Sequence, residues 1–451
     1  PAPCPVPCAA RVSCESAPAP ETGTVLRDVR PWGGEPVDLH VADGRIAAVT
    51  PHDPAAGTVP EAGVVDGRGL LALPGLVNAH AHVDKSWWGR PWVSYGGEAT
   101  TQGRIAHERA HRDELGIPGV DVTLTVLREF GRDGPPPTRP HADPDRGLRL
   151  RGLHVVREAL AALDGAVHAE IVAFPQDGVL RRPGVLDLLD AAAAAGAEHV
   201  GGLDPASIAR APVGQLAGRV AIAERRGLAI ALHRHDRGDL GAFQVELMID
   251  RTLRAGLQGK VNVAHGFAVG DVPASRQADL VAAMGEAGIT MTTVAPIGAA
   301  PLPVHALRAA GVAVGLGTDG IRDLWSPYGT GDLLALTTQL ARLSRFRYDE
   351  ELVTAARVAT SDAARFVGRD VHDLVVGAPA DVVLVAAENV HDAVLRAPRR
   401  ALDVPGGAGG GRGPAGGRGD GAAGGRAASA TDAATAGASA TTGGGPPSGP
   451  G

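Results

Sequence analysis

Five residues in this chain are of the types that hold metal ions or move protons, and their placement draws them toward one point. His80-Ala-His82 closes an apolar stretch that follows Pro74-Gly75. On a strand, positions i and i+2 face the same side, so both imidazoles address one centre, and the same parity puts Asn78 on that face. His233 ends LAIALH, His265 ends VNVAH and Asp319 ends VAVGLGTD. Each follows apolar residues, where a buried imidazole or carboxylate needs a partner. Any one of them alone reads as a satisfied core residue. Together, at the ends of four parallel strands, they read as a divalent metal site.

The elements that must position them follow a βα rhythm. After residues 75–82, strand patterns recur at 168–175, 199–204, 228–233, 261–265, 289–294 and 312–319, separated by amphipathic helices such as GVLDLLDAAAAAGA. This is the pattern of an α/β protein built as a (β/α)8 TIM-like barrel, in which chemistry belongs at the C-terminal ends of the strands. Seven strands are visible and an eighth is owed between residues 120 and 160. The available segment, residues 137–145, looks too rich in proline for a central strand. Short β segments from Thr24 onward, with an Asp43-Gly44 hairpin turn, and GAPADVVLV near the other end suggest a small β-sandwich domain assembled from both chain ends. The expected organisation is a disordered leader over 1–23, sandwich segments at 24–74 and 369–405, a hydrolase barrel over 75–368, and a disordered Gly/Ala-rich tail over 406–451.

The stretches LPGLVNAHAHVDKSWWGRPW, IVAFPQDGVL, ALHRHD, NVAHG and GLGTDGIRDLWSPYGTGDLL resemble the cytosine deaminase branch of the amidohydrolase superfamily, which also contains an N-isopropylammelide amidohydrolase. The resemblance spans residues 24–404. It implies one divalent metal ion, zinc or iron(II), held by His80, His82, His233 and Asp319. His265 then falls on a catalytic histidine and Gln176 on a substrate-binding amide. Such a set leaves a coordination position for water, whose pKa the metal lowers toward 7. Asp319 would take its proton, and His265 would steady charge at the attacked carbon.

Asp236 stands where cytosine deaminases carry a glutamate that shuttles a proton to the leaving amine, whereas His235 and Lys85 resemble the isopropylammelide enzyme. Gly320 replaces the second acidic residue that follows the metal aspartate in both relatives, so a substrate contact is expected to be missing. Trp325 could stack on a flat heterocycle, or serve as a core aromatic. Trp87-Trp88 could form a wall, or pack beneath a loop.

Composition narrows the partners. A formal charge of -7 with acidic and basic residues interspersed gives no nucleic-acid footprint, and no apolar run is long enough to span a membrane. The three cysteines all lie in the first 14 residues, so the body holds no disulfide or thiolate metal site. The expected setting is cytoplasmic, with a small nitrogen heterocycle as substrate and a possible homo-oligomer. The leading function is removal of an amino or alkylamino group by metal-activated hydroxide. The alternatives are a cyclic amide ring-opening hydrolase, or an inactive metal-binding product of a compromised reading frame.

Overall fold

A computed structural model describes residues 23–55, 63–131 and 135–404. The three cysteines and the expected tail lie outside the described residues, as does all but the last residue of the expected leader.

The chain opens with β1 (Thr24–Pro31), β2 (Val37–Ala42), β3 (Arg45–Pro51) and β4 (Val64–Pro74). Asp43 and Gly44 both have positive φ, 50° and 70°, which is the backbone a tight hairpin turn requires. The expected Asp-Gly turn therefore joins β2 to β3. β1 pairs antiparallel with β2 but parallel with β4.

The next strands run parallel: β5 (Asn78–His82), β6 (Thr138–Ala142), β7 (Val172–Ala173), β8 (His199–Leu203), β9 (Ala229–His233), β10 (Val261–Ala264), β11 (Thr290–Thr293) and β12 (Val314–Leu316). A two-residue extension, β13 (Asp319–Gly320), carries the last strand back onto the first, with Asp319 opposite Ala81 and Gly320 opposite His82. That pairing closes the sheet into a TIM-like barrel. Its apolar core runs from Val83 and Leu153 through Leu232 and Val263 to Met291 and Leu316, all nearly inaccessible to solvent.

β6 corrects the expectation that the proline-rich segment makes a poor strand. All five of its residues are buried, and it pairs with β5 and β7. The register slips between Asn78 and Ala81, and Pro140 stands opposite Ala81 just past that slip. A residue that cannot donate to the ladder is tolerated where the ladder is already irregular.

Two further strands, β14 (Val382–Val385) and β15 (Arg400–Val404), return to the first sheet. They give it the order β15-β14-β4-β1-β2-β3, with β14 antiparallel to the end of β4. Leu26, Val29, Leu39, Ile46, Ala72, Val382 and Leu384 form a core of their own there. Among the described residues no helix is long and apolar enough to cross a membrane.

Candidate metal centre and its pocket

The residues singled out by strand-end spacing converge. His82 Nε2 lies 3.1 Å from His233 Nε2 and 3.4 Å from an Asp319 carboxylate oxygen, which is itself 3.5 Å from His80 Nε2. Four ligands at about 2.0–2.2 Å from one tetrahedral ion are separated by roughly 3.3–3.6 Å. The observed spacings have that size.

Two further observations test whether a cation fits. His80 Nε2 and both ring nitrogens of His265 are buried without a hydrogen-bond partner, as are the Nδ1 atoms of His82 and His233. Burial, reinforced by neighbouring positive groups, pulls His82 down to about 3, and His233 and His265 fall well below the ordinary imidazole value for the same cause. The rings of His82, His233 and His265 are therefore neutral, the form a metal takes. Asp319 is held well below the usual carboxylate range: burial raises it, but the close approach of His80 and the other adjacent histidines outweighs that. A neutral imidazole cluster around an ionised carboxylate fits a divalent ion.

Local backbone aims these groups. His265 and Asp319 both sit in the left-handed region, with φ of 66° and 59°, so each strand end turns its side chain toward the barrel axis. Such conformations cost on the order of 1–3 kcal/mol in non-glycine residues and concentrate at functional sites. Asn78 holds the last strand in place by donating from Nδ2 to Thr318 Oγ1 at 2.9 Å and accepting from Thr318 N at 3.0 Å. Gly317 passes so close to His80 that a Cβ would overlap its backbone.

A fifth histidine escaped sequence reasoning. His141, in β6, places its ring centroid 4.2 Å from that of His80 and 4.9 Å from that of His82, and its buried Nε2 has no partner. It can join a ligand group with His80 and His82, while His233 and His265 form another with His80. The signal was present in the sequence, but prolines on both sides hid it.

Beside the cluster opens a cavity of about 620 Å³ lined by Lys85, Gln176, His235, Asp323 and Trp325 among others, the size of a small-molecule site. Lys85 is buried and forms ion pairs with Glu108 at 3.2 Å and Asp143 at 3.5 Å. Burial alone would lower its pKa, but Glu108, Asp84 and Asp143 together hold it above the ordinary lysine value. Gln176 is fully buried and donates from Nε2 to Glu108 at 3.0 Å. Trp325 donates from its indole to the other Glu108 oxygen at 2.7 Å.

The vacancy expected at Gly320 is filled from three residues away. A Cβ on Gly320 would collide with the carboxylate of Asp323, which stands in that space and lines the cavity. Asp323 Oδ1 accepts from the backbone N–H groups of Trp325 and Ser326 at 2.8 and 2.7 Å. Burial lifts its pKa to about 7 despite those bonds, with Asp319 adding to the rise. A carboxyl group is thus present, though its chain origin differs from the one the resemblance implied.

His235 and Asp236 part company. His235 lines the cavity, and Asp204 fixes it by accepting from Nδ1 at 2.8 Å and from the backbone N–H at 2.7 Å. Nε2 is left as the nitrogen open to a ligand. Burial opposes protonation of His235, but Asp204 outweighs it and raises the pKa. Asp236 instead accepts from Gln244 Nε2 at 2.6 Å and is absent from the cavity lining. Trp87 is buried against Ile117, Val122 and Leu324, and Arg322 lies 4.9 Å from its ring centre and 5.0 Å from that of Trp88. The tryptophan pair packs beneath the loop and does not line the cavity.

A parallel barrel with histidines and an aspartate at its strand ends defines a metal-site hydrolase architecture, and the comparisons place it further. The amidohydrolase family model matches residues 142–404, and the chain belongs to that family and is a hydrolase acting on carbon–nitrogen bonds other than peptide bonds. It is similar to the crystal structure of N-isopropylammelide isopropylaminohydrolase from Burkholderia multivorans, at 40% identity and a TM-score of 0.79, covering 86% of this chain and 97% of that one. It is 26% identical to N-isopropylammelide isopropyl amidohydrolase of Pseudomonas sp. (strain ADP) over 74% of this chain and 85% of the relative. The crystal structure of 5-methylcytosine deaminase from Klebsiella pneumoniae shares the fold, with a TM-score of 0.72 and 24% identity over 85% of this chain and 96% of that one.

Proposed function

We propose that this chain hydrolyses a carbon–nitrogen bond of a small nitrogen heterocycle and releases an amino or alkylamino group. The observation that carries this reading is the set of ligand-to-ligand distances, 3.1 to 3.5 Å among His82, His233, Asp319 and His80, beside a cavity walled by hydrogen-bonding groups and a flat indole. These four residues would hold one divalent ion, zinc or iron(II), which would supply the Lewis acidity that makes water nucleophilic near neutral pH.

The protein's own groups do the rest. Asp319 accepts the proton of the attacking water, and His265 donates to the oxygen that develops charge at the attacked carbon. His235, its Nδ1 committed to Asp204, offers Nε2 to protonate the departing nitrogen. Lys85 is locked between two carboxylates and serves as a fixed N–H donor. Gln176 supplies a hydrogen-bonding amide and Trp325 a stacking face for the ring. The names of the isopropylammelide relatives support a heterocyclic substrate bearing an alkylamino group.

The test couples metal analysis of purified protein to an amine-release screen over pyrimidines, triazines and cyclic amidines. Bound metal near one equivalent and release of ammonia or an alkylamine are expected, with both lost in His80→Ala and Asp319→Ala. Substrate loss without amine release would mean ring opening and would overturn the proposal, as would full turnover by either variant without metal.

A further inference from the structure

Glu108 was invisible to motif reasoning. It lies on α1 (Thr101–His111), between β5 and β6 in the chain, and only 3% of it is accessible. Its carboxylate collects three donors from separate parts of the barrel mouth. Oε1 accepts from Lys85 Nζ at 3.2 Å and from Gln176 Nε2 at 3.0 Å, while Oε2 accepts from Trp325 Nε1 at 2.7 Å. All three donors line the cavity, whereas Glu108 does not.

The chemistry of these groups removes an ambiguity that a glutamine ordinarily keeps. An ionised carboxylate accepts and never donates, so the face of Gln176 toward Glu108 must be its NH2. The carbonyl oxygen is then committed to the other side, and Gln176 Oε1 is indeed buried with no partner in the protein. Lys85 has three N–H donors, of which Glu108 and Asp143 engage two.

We propose that Glu108 is a positioning residue that fixes the hydrogen-bond polarity of this wall, so that Gln176 keeps its carbonyl oxygen for a ligand and the pocket selects ligands presenting a ring N–H. A lactam supplies such a ring N–H. The inference rests on the heterocycle reading of the same cavity, yet it concerns recognition and is measurable without turnover. A ligand that blocks its ring N–H leaves Gln176 Oε1 buried and unsatisfied. That loss costs enough to weaken binding on the order of tenfold or more.

The experiment uses metal-loaded full-length protein with two probes that carry no leaving amine, 2-pyridone and 1-methyl-2-pyridone, titrated by ligand-observed NMR. The parent lactam is expected to bind on the order of tenfold more tightly than its N-methyl derivative. In Glu108→Gln the Gln176 amide is free to turn over, and the preference is expected to fall to within about threefold while metal content stays unchanged. Gln176→Leu provides a second variant that leaves Glu108 in place, with the same loss of preference expected. Equal affinity of the wild-type protein for both probes, no binding of 2-pyridone, or an intact preference in metal-replete Glu108→Gln would overturn the proposal. Amine release in the separate screen, alongside equal probe affinities, would defeat this inference and leave the proposed reaction standing. Probe selectivity without amine release would do the reverse.

Discussion

The proposed choice of His235 as proton donor to the leaving nitrogen rests on where two neighbouring side chains point. His235 faces the cavity with Asp204 behind it, and Asp236 faces Gln244. His235→Asn is expected to lower kcat by about 10²-fold or more, as loss of a general acid does, whereas Asp236→Asn stays within about threefold of wild type. Equal losses in the two would return the role to Asp236. Asp204→Asn removes what raises the His235 pKa, so the imidazolium is lost at lower pH and the alkaline limb of the kcat/KM profile should move toward acid. Asp323 gives a second expectation. Its carboxyl is lifted from 3.8 to about 7, so between those values the folded state holds a proton that the unfolded state has released. Stability therefore falls as pH rises through that window and stays lower above it, by on the order of a few kcal/mol. Asp323→Asn keeps the Oδ1 acceptor for both backbone N–H groups and abolishes the titration. On protein stripped of metal, whose charge would itself favour the carboxylate, Tm of Asp323→Asn relative to wild type should be higher at pH 8 than at pH 5. A pH-independent difference would remove Asp323 from the account.

At the scale of elements, the barrel's closing seam and its candidate metal centre are one construction. β13 is two residues long, and its Asp319 reaches the histidines because Asn78 ties the preceding Thr318 to the start of β5. Asn78→Ala leaves the Thr318 N–H without that partner, a loss of about 1–3 kcal/mol. A lower thermal midpoint and weaker retention of metal against a chelator are expected together, because seam and ligand move as a unit. A fall in stability with metal affinity untouched would separate the two. The same elements show what the sequence made legible. His80, His82, His233, His265 and Asp319 were found because strand ends carry a simple rule: an apolar run followed by a polar residue. Asp204 obeyed that rule too, at the end of the expected 199–204 strand, but its role depends on His235, which no strand pattern pairs with it. β6 was discounted on proline content, and with it went His141 and Asp143. Intrinsic strand preference argued against that segment, and the barrel overrode it by burying all five residues between two partners. Glu108 left no signal, since a lone acid in a helix reads as a solvated face until the helix is docked over the barrel mouth.

Across the described residues, the early strands β1–β4 and the late strands β14 and β15 meet in one sheet, next to the strand that carries the first proposed metal ligands. β14 pairs with the end of β4, Val382 opposite Pro74 and Val383 opposite Leu73, and four residues later in the chain Asn78 begins β5. Asp381 accepts through its carbonyl from Gly75 N at 2.8 Å, and His372 reaches the Gly75 carbonyl at 2.7 Å through Nε2. The segment leading into His80 is thus gripped from residues some 300 positions away. We propose that the described residues of 24–74 and 369–404 act as one unit whose role is to hold that segment. Val382, Val383, Leu384 and Val385 are each at most 2% accessible and divide between the two cores. At about 1.5–3 kcal/mol for each fully buried side chain, their removal forfeits roughly 6–12 kcal/mol, comparable with the entire stability of a typical fold. A chain ending at residue 368 is therefore expected to be aggregated or unfolded and to retain no metal, although every ligand residue remains in it. Size-exclusion chromatography with metal analysis of the eluted protein would check this. A monodisperse, metal-loaded truncation would show that the barrel stands alone, and the role assigned to the two chain ends would have to be given up.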